Sequence, residues 1–224
     1  MPWGPAAVIT AWSTGCVDDV RRGRVEVISG PMFAGKTEEL LRRVRRAQIA
    51  GCRVEVVHHA LDDRRGEGIV SSHSGLDIPS RAATSATEIL DLVDPAVELV
   101  AVDEAQFFGP DLLDVVQLAA DGGLVMIVAG LDVTFDGRPF DPIPALGALA
   151  ERADRLTAVC TVCGEDAPFH ERVVVGRGDD GRGDALTAGV EHVGGVESYQ
   201  ARCRVHFSAA RWRVGAGEAG ATTR

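Results

Sequence analysis

Two spacings of apolar side chains alternate along this chain, and the alternation is its strongest structural signal. Residues 24–29 (RVEVIS) exchange polar for apolar side chains at nearly every step, as in a strand with one buried face. Residues 38–50 (EELLRRVRRAQIA) instead bring Leu40, Leu41, Val44, Ala47 and Ile49 close to helical spacing, and Gly51 supplies a C-terminal stop. The same reading predicts strands at 53–57 (RVEVV), 98–102 (ELVAV), 124–129 (LVMIVA) and 156–159, and helices at 84–93, 110–120 and 145–153. Strand and helix take turns, which predicts an α/β protein with a parallel sheet. Residues 58–79 are polar and glycine-rich and read as a functional loop, while from Cys160 onward the composition shifts to cysteine, glycine and charge. The expected organisation is a loose extension over 1–22, an α/β domain over 23–155, a small second domain over 156–207 and a flexible tail over 208–224.

With 46% hydrophobic and 25% charged residues, the 224-residue chain can bury one good core and carry an appendage. Its formal net charge of −10 argues against a nucleic-acid surface, which is normally basic. Arg42, Arg43, Arg45 and Arg46 do not reverse this. Glu38 and Glu39 stand four residues before Arg42 and Arg43, the pattern of a salt-bridged helix face exposed to water or to another subunit. The chain has no run of 18 apolar residues, and its opening MPWGPAAVITAW lacks the basic segment of a signal peptide, so neither a membrane span nor secretion is expected. Five cysteines do not suit a closed disulfide framework, which points to the cytoplasm.

Lys36 is the only lysine; every other one of the 23 lysine and arginine positions is arginine. It lies in Gly30, Pro31, Met32, Phe33, Ala34, Gly35, Lys36, Thr37, a complete G-x-x-x-x-G-K-[ST] phosphate loop. A planar guanidinium does not replace the compact ammonium that must reach the β- and γ-phosphates of a nucleotide. The strand before and helix after are what the loop needs. Backbone N–H groups then face the phosphates from the positive end of the helix dipole, and the Thr37 hydroxyl is left for Mg²⁺. The apolar strand at 98–102 runs into Asp103 and Glu104. Such a strand is expected beside the loop, with Asp103 at the Mg²⁺ and Glu104 facing an attacking hydroxyl as general base. Two solvated loop acids are the plain alternative.

Cys160-x-x-Cys163 and Cys203-x-x-His206 carry zinc spacing at both knuckles. Four N/S ligands leave no open coordination position, so the zinc is expected to be structural and to close the stretch 164–202. A redox Cys-x-x-Cys competes, weakened by the matched second pair. Cys16 and Cys52 fall outside the pattern. The enclosed GRGDDGRGD over 176–184 cannot offset its ordering entropy by burial, which predicts a mobile lid. Phe33, Phe107, Phe108, Phe135, Phe140, Phe169 and Tyr199 are expected in loops flanking these motifs, available to stack on a base or to fill a core. His59, His73, His170 and His192 are expected in active-site loops or in solvent.

GPMFAGKT, DEAQFF, LDVTFDGRPF, LTAVCTVCG, VEHVGG and ESYQARCRVH, in this order and spacing, closely resemble the cytosolic-type (type II) thymidine kinases over residues 24–206. The resemblance implies a RecA-like P-loop parallel sheet with a small zinc-anchored lasso domain. It implies ATP with Mg²⁺ and a structural Zn²⁺ as cofactors, and transfer of the γ-phosphoryl group to the 5′-hydroxyl of deoxythymidine. Glu104 matches the catalytic base, Thr37 and Asp103 the Mg²⁺ ligands, and Asp103, Glu104, Ala105 and Gln106 join the phosphate loop in the nucleotide site. Met32, Leu131, Phe135, Phe140, His170 and Tyr199 match positions around the thymine, and Val190, Glu191, His192 and Val193 the lasso backbone that holds the base edges. Asp62 and Arg64 match polar residues near the phosphates. A homotetramer inhibited by dTTP is implied as well. His170 stands where the family commonly has threonine, and His192 where it has a small apolar residue, departures that bear on finer substrate preference.

Other readings of these parts stay open at the level of sequence. A RecA-like ATPase would hydrolyse ATP under stimulation by DNA, and another zinc-containing nucleotide kinase would need further basic residues to hold a monophosphate. A non-enzymatic zinc ribbon would leave Lys36 and Glu104 without a role.

Overall fold

The computed structural model describes residues 23–61, 69–71, 77–172 and 199–208. The expected extension over 1–22, the lid over 176–184 and residues 209–224 lie outside the described residues, as do Asp62, Arg64, His73, Val190, Glu191, His192 and Val193. The chain divides into two compact units. The first comprises Met1–Ser29, Lys36–Gly130 and Asp141–Arg155; the second comprises Gly30–Gly35, Leu131–Phe140 and Leu156–Arg224.

The first unit is built on strands β1 (Arg24–Gly30), β2 (Val54–His59), β5 (Arg81–Ala83), β6 (Leu99–Asp103), β7 (Val125–Leu131) and β8 (Arg152–Arg155). The short strands β3 (Ile69–Ser71) and β4 (Asp77–Pro79) pair antiparallel within the segment expected to be one loop. The six-stranded sheet has the order β5-β2-β6-β7-β1-β8, with parallel pairing of β2 to β5 and β6, of β6 to β7 and of β1 to β8. All five residues of β6 are buried, as a central parallel strand requires. Helices α1 (Lys36–Ile49), α2 (Ala86–Leu92), α3 (Leu112–Asp121) and α4 (Ile143–Leu149) complete the α/β arrangement. Val27, Val57, Ile89, Val100, Val102, Leu112, Val116, Met126, Val128, Ile143 and Leu146 form one core.

Local signals explain the helix ends. Glu38 and Glu39 sit in the first turn of α1 and Arg46 in the last, the arrangement the helix dipole favours. Gly51, at φ 83°, ends it: Cys52 N–H donates to the Ala47 carbonyl at 3.0 Å and Gly51 N–H to that of Gln48 at 2.9 Å, a Schellman closure. Ser85 caps α2 by accepting the Glu88 N–H at 3.3 Å, while the Glu88 carboxylate accepts the Thr84 N–H at 2.6 Å.

Several expectations need correction. The predicted helix over 145–153 ends at Leu149, and Arg152–Arg155 is the edge strand β8, register-paired to β1 at Glu26↔Arg152. Its side chains (RADR) are mostly exposed and carry no apolar alternation, so only backbone pairing to β1 makes it a strand. The strand expected at 156–159 is correspondingly only β9 (Ala158–Val159). The end of the acidic strand β6 reaches the phosphate loop as expected, through the Thr37–Asp103 hydrogen bond at 2.9 Å, although β7 runs between β6 and β1. The arginine face of α1 is also not uniformly exposed. Arg43 is 7% exposed and meets Glu39 at 2.9 Å, Glu26 at 2.8 Å and Asp154 at 2.6 Å, tying α1 to β1 and β8. Glu39 rather than Glu38 takes both Arg42 and Arg43.

The second unit is thin. β9 pairs antiparallel with β10 (Asp166–Ala167), and β11 (Phe169–Arg172) with β12 (Tyr199–Arg202). Its apolar clusters are small: Ala158, Cys160, Ala167, Ala201 and Cys203 in one, Val133, Phe169 and Phe207 in the other. Phe169 and Tyr199 therefore lie in strands, not loops, and the Phe169 and Phe207 rings stack at 4.7 Å. No helix among the described residues is long and apolar enough to cross a membrane.

Candidate active site

In the first unit, the end of β6 and the start of α1 converge although β7 separates their strands. The Thr37 hydroxyl donates to Asp103 Oδ2 at 2.9 Å. Asp103 is 4% exposed, and its Oδ1 accepts the Glu104 N–H at 3.0 Å. Glu104 adopts φ 49°, ψ 40°, a left-handed conformation that costs a non-glycine residue about 1–2 kcal/mol. The turn delivers Glu104 into the 3-10 helix Ala105–Phe108, closed by Phe107 N–H donating to the Glu104 carbonyl at 3.2 Å. Buried Gln106 reaches back and donates through Nε2 to Glu104 Oε2 at 2.6 Å, setting the carboxylate's direction. Ala105 is fully buried, so it supports the turn by packing.

Gly130 makes room for this amide. A Cβ there would come within 2.9 Å of Gln106 Oε1 and 2.7 Å of Ile143 Cδ1. Nothing in the sequence marks Gly130 beyond its place at the end of an apolar run, and nothing marks a left-handed glutamate.

In the second unit, Gly30–Gly35 form the turn of the phosphate loop, continuing covalently into Lys36 and Thr37. Gly30, at φ 148°, approaches so close that a Cβ would meet the Leu156 carbonyl oxygen at 2.5 Å. Phe33 is also left-handed, at φ 68°, and exposed. Ala34 packs against the Ala158, Cys160, Ala167, Ala201 and Cys203 cluster. Met32 N–H donates to His170 Nδ1 at 3.4 Å. His170 is 2% exposed, in β11, so it is neither a loop residue nor solvated, and its ring stands edge-on to Tyr199 at 5.8 Å. Phe135 lies tilted to Tyr199 at 6.5 Å. Leu131 and Phe140 bracket the turn that carries Phe135, closed by Phe140 N–H donating to the Asp132 carbonyl at 3.0 Å. His59 also departs from expectation: it is a buried β2 residue packed on Phe108 at 4.6 Å.

Cys160, Cys163, Cys203 and His206 bring their ligand atoms within 4.8 Å of one another. Cys163 Sγ and Cys203 Sγ are 3.7 Å apart, and His206 Nδ1 is 3.2 Å from Cys203 Sγ and 3.7 Å from Cys160 Sγ. Ligands about 2.3 Å (sulfur) and about 2.0–2.1 Å (nitrogen) from a tetrahedral centre lie about 3.5–3.8 Å apart, so three thiolates and an imidazole in this arrangement fit Zn²⁺. Burial raises the Cys160 thiol, but hydrogen bonds from the Cys203, Val162 and Cys163 backbones together lower it to about 5, favouring the thiolate a metal needs. No disulfide competes for these sulfurs. Gly164, at φ 78°, donates its N–H to the Cys160 carbonyl at 2.9 Å and closes the first knuckle.

Comparison with known proteins agrees with this geometry. The family model for thymidine kinase matches residues 23–207. A thymidine kinase of Bdellovibrio bacteriovorus is 44% identical over 186 residues, covering 83% of this chain and 86% of that protein. One from Halobacterium salinarum strain R1 is 45% identical over 186 residues, covering 81% and 92% respectively. Domain III of the Thermotoga maritima replication initiation protein DnaA overlaps with a TM-score of 0.36 at 12% identity, over 62% of this chain and 57% of that one, too loosely to bear on fold or function.

Proposed function

Because the chain belongs to the thymidine kinase family, and so is an ATP-dependent nucleoside kinase that phosphorylates thymidine, we propose that Glu104 is its catalytic base and that Thr37 and Asp103 hold the Mg²⁺ of the nucleotide. The observation that carries this reading is the connected run from the Thr37 hydroxyl through both Asp103 oxygens to Glu104 and on to Gln106. Mg²⁺ held there would supply charge neutralisation to the nucleotide phosphates. The loop N–H groups other than that of Met32, which His170 accepts, and the Lys36 ammonium hold those phosphates; Pro31 has no N–H to offer. Gln106 keeps the Glu104 carboxylate turned, and Glu104 takes the 5′-hydroxyl proton as that oxygen attacks the γ-phosphorus. The bond from phosphorus to the β,γ-bridging oxygen breaks, and ADP leaves with its electrons.

At the thymine end the reading assigns Met32, Leu131, Phe135, Phe140, His170 and Tyr199, supported by the aromatic contacts of Tyr199 and by the His170 bond to the Met32 amide. The bond requires a neutral Nδ1, so His170 does more here than a threonine hydroxyl in that place: its longer ring reaches the loop backbone. Resemblance alone supports base-edge contacts from Val190, Glu191, His192 and Val193, and phosphate contacts from Asp62 and Arg64. Cys160, Cys163, Cys203 and His206 hold a structural Zn²⁺, supported by their mutual distances. The reading further includes inhibition by dTTP at the thymidine site, a homotetramer, a cytoplasmic location, and a division into a P-loop domain over 23–155 and a zinc-anchored lasso domain over 156–207, with 1–22 and 208–224 outside both.

Glu104→Gln tests the central assignment. It keeps the hydrogen-bonding shape but cannot take a proton, so turnover should fall by about 10² or more with ATP affinity nearly unchanged. Wild-type turnover in that variant refutes the base, and a panel of nucleosides with the wild-type enzyme tests the thymine end.

A further inference from the structure

His59 closes β2 at 6% exposure. A histidine buried this far needs partners for both ring nitrogens. Its Nδ1 accepts the Leu61 N–H at 3.1 Å, and the Thr84 backbone takes the second hydrogen bond, which Nε2 must donate. The ring held this way stands edge-on to Phe108, 4.6 Å between centroids, and tilted to Phe107 at 6.0 Å. Both phenylalanines belong to the 3-10 helix that starts directly after Glu104. The parallel register His58↔Asp103 explains the meeting: the residue after His58 comes level with the residues after Asp103.

A left-handed glutamate persists only where its surroundings over-determine it. Asp103 holds the turn through its backbone, and Gln106 holds the carboxylate, but neither fixes the far end of the 3-10 helix. Phe108 is 7% exposed and packed, so the His59 ring cannot shift without moving that end. We infer that His59 is a positioning residue for Glu104, a role that rests on Glu104 being the base: the neutral ring, tethered to Leu61 and Thr84, is the buttress that holds the Glu104–Phe108 turn. The buttress works only unprotonated, because Nδ1–H would face the Leu61 N–H donor to donor. Burial lowers the His59 pKa; the Thr84 bond opposes this in part, and His58 lowers it further. The ring is therefore neutral at pH 7, and the tether is lost only as pH falls below about 6.5. Among the described residues, the charged and titratable groups on β2 and its neighbouring elements include Glu55 and His58 in β2, Arg81 in β5, Asp103 and Glu104 at the end of β6, and Glu88 in α2, whose carboxylate accepts the Thr84 N–H.

Turnover at saturating ATP and thymidine, in wild type, His59→Phe, Glu104→Gln and the double variant, tests this. His59→Phe keeps a ring but loses both tethers, and should lower kcat about ten-fold with KM for ATP within about two-fold. In the Glu104→Gln background the same change should cost less than about two-fold, since a buttress for an absent base supports nothing. Equal cost in both backgrounds, or no cost in wild type, overturns the role and leaves the base assignment standing; wild-type turnover in Glu104→Gln alone removes the base assignment itself. Should His59→Phe fail to fold, His59→Gln decides. It keeps a donor and an acceptor and does not titrate, so kcat at pH 7.5 should stay within about three-fold and the wild-type loss of kcat as pH falls below about 6.5 should flatten. An unchanged acid limb in that variant overturns the role.

Discussion

The two units hold themselves together by different means. The first has a continuous core of valine, isoleucine, leucine and methionine across a six-stranded parallel sheet, with Val100, Val102, Leu112 and Met126 wholly buried. The second has an alanine–cysteine cluster and a three-residue cluster around Phe207, with two-stranded sheets that are marginal by themselves. Burial at about 25 cal/mol per Å² sustains the first; side chains as small as Ala158, Ala167 and Ala201 supply little of it to the second. On the proposed reading, metal ligation through Cys160, Cys163, Cys203 and His206 supplies the cohesion that burial does not. The difference also shows where the phosphate loop is vulnerable. Ala34 packs on the cysteine cluster and Met32 bonds to His170, so the backbone of the phosphate-loop motif depends on the weaker unit.

Removing a ligand should break the comparison most sharply. Cys163→Ser is expected to abolish stoichiometric zinc and most kinase activity, because the loop loses its packing as well as the metal. Hydrogen exchange should then rise across 158–172 and 199–208, while the β6 and β7 amides keep their protection. Equal loss of protection in β6 and β7 would show that the two cores are one, and full activity without zinc would show that the metal does not hold the loop.

A smaller effect, opposite in location, is expected from Leu112→Ala. Leu112 is fully buried in the first unit, and the cavity should cost about 2–5 kcal/mol in chemical denaturation while the zinc content stays at wild-type level. Loss of zinc in this variant would contradict the separation of the two cores.

Acid sharpens the comparison by the smallest amount. Hydrogen bonding from Arg42, opposed by burial and joined by Arg43, lowers the Glu39 pKa to about 2. The folded value lies below the unfolded one, so this contribution is complete above about pH 4.5 and is lost as pH falls toward about 2. Solvent screening limits it to about 1 kcal/mol or less. Glu39→Gln should flatten that part of the stability profile; an identical acid profile in both proteins would show that the pairing adds nothing. At the other end of the network the hydrogen bond from buried Arg43 holds the Asp154 carboxyl below its ordinary pKa.

Much of the molecule was legible one residue at a time. The alternation of spacings located β1, α1, β6, α3 and β7 to within a few residues, because amphipathic periodicity and full burial leave a direct mark on composition. The phosphate loop, the Asp103–Glu104 pair and the two knuckles were likewise visible, because their chemistry demands residue types at fixed spacing. β5 and β8 left no such mark: each is an edge strand whose exposed side chains are silent about the neighbour its backbone pairs with.

The sequence by itself displayed the phosphate-loop motif, the Asp103–Glu104 pair and the two Cys/His knuckles, since these are patterns of functional groups at short fixed distances along the chain. Only the tertiary structure decided that β7 runs between β1 and β6, that Arg43 is an interior ion pair, and that His59 and His170 are buried acceptors of backbone N–H groups. The left-handed turn at Glu104 belongs with these. Each depends on which strands lie side by side and which side chains lose water. Such pairings join residues far apart in the chain, where local propensity carries no information.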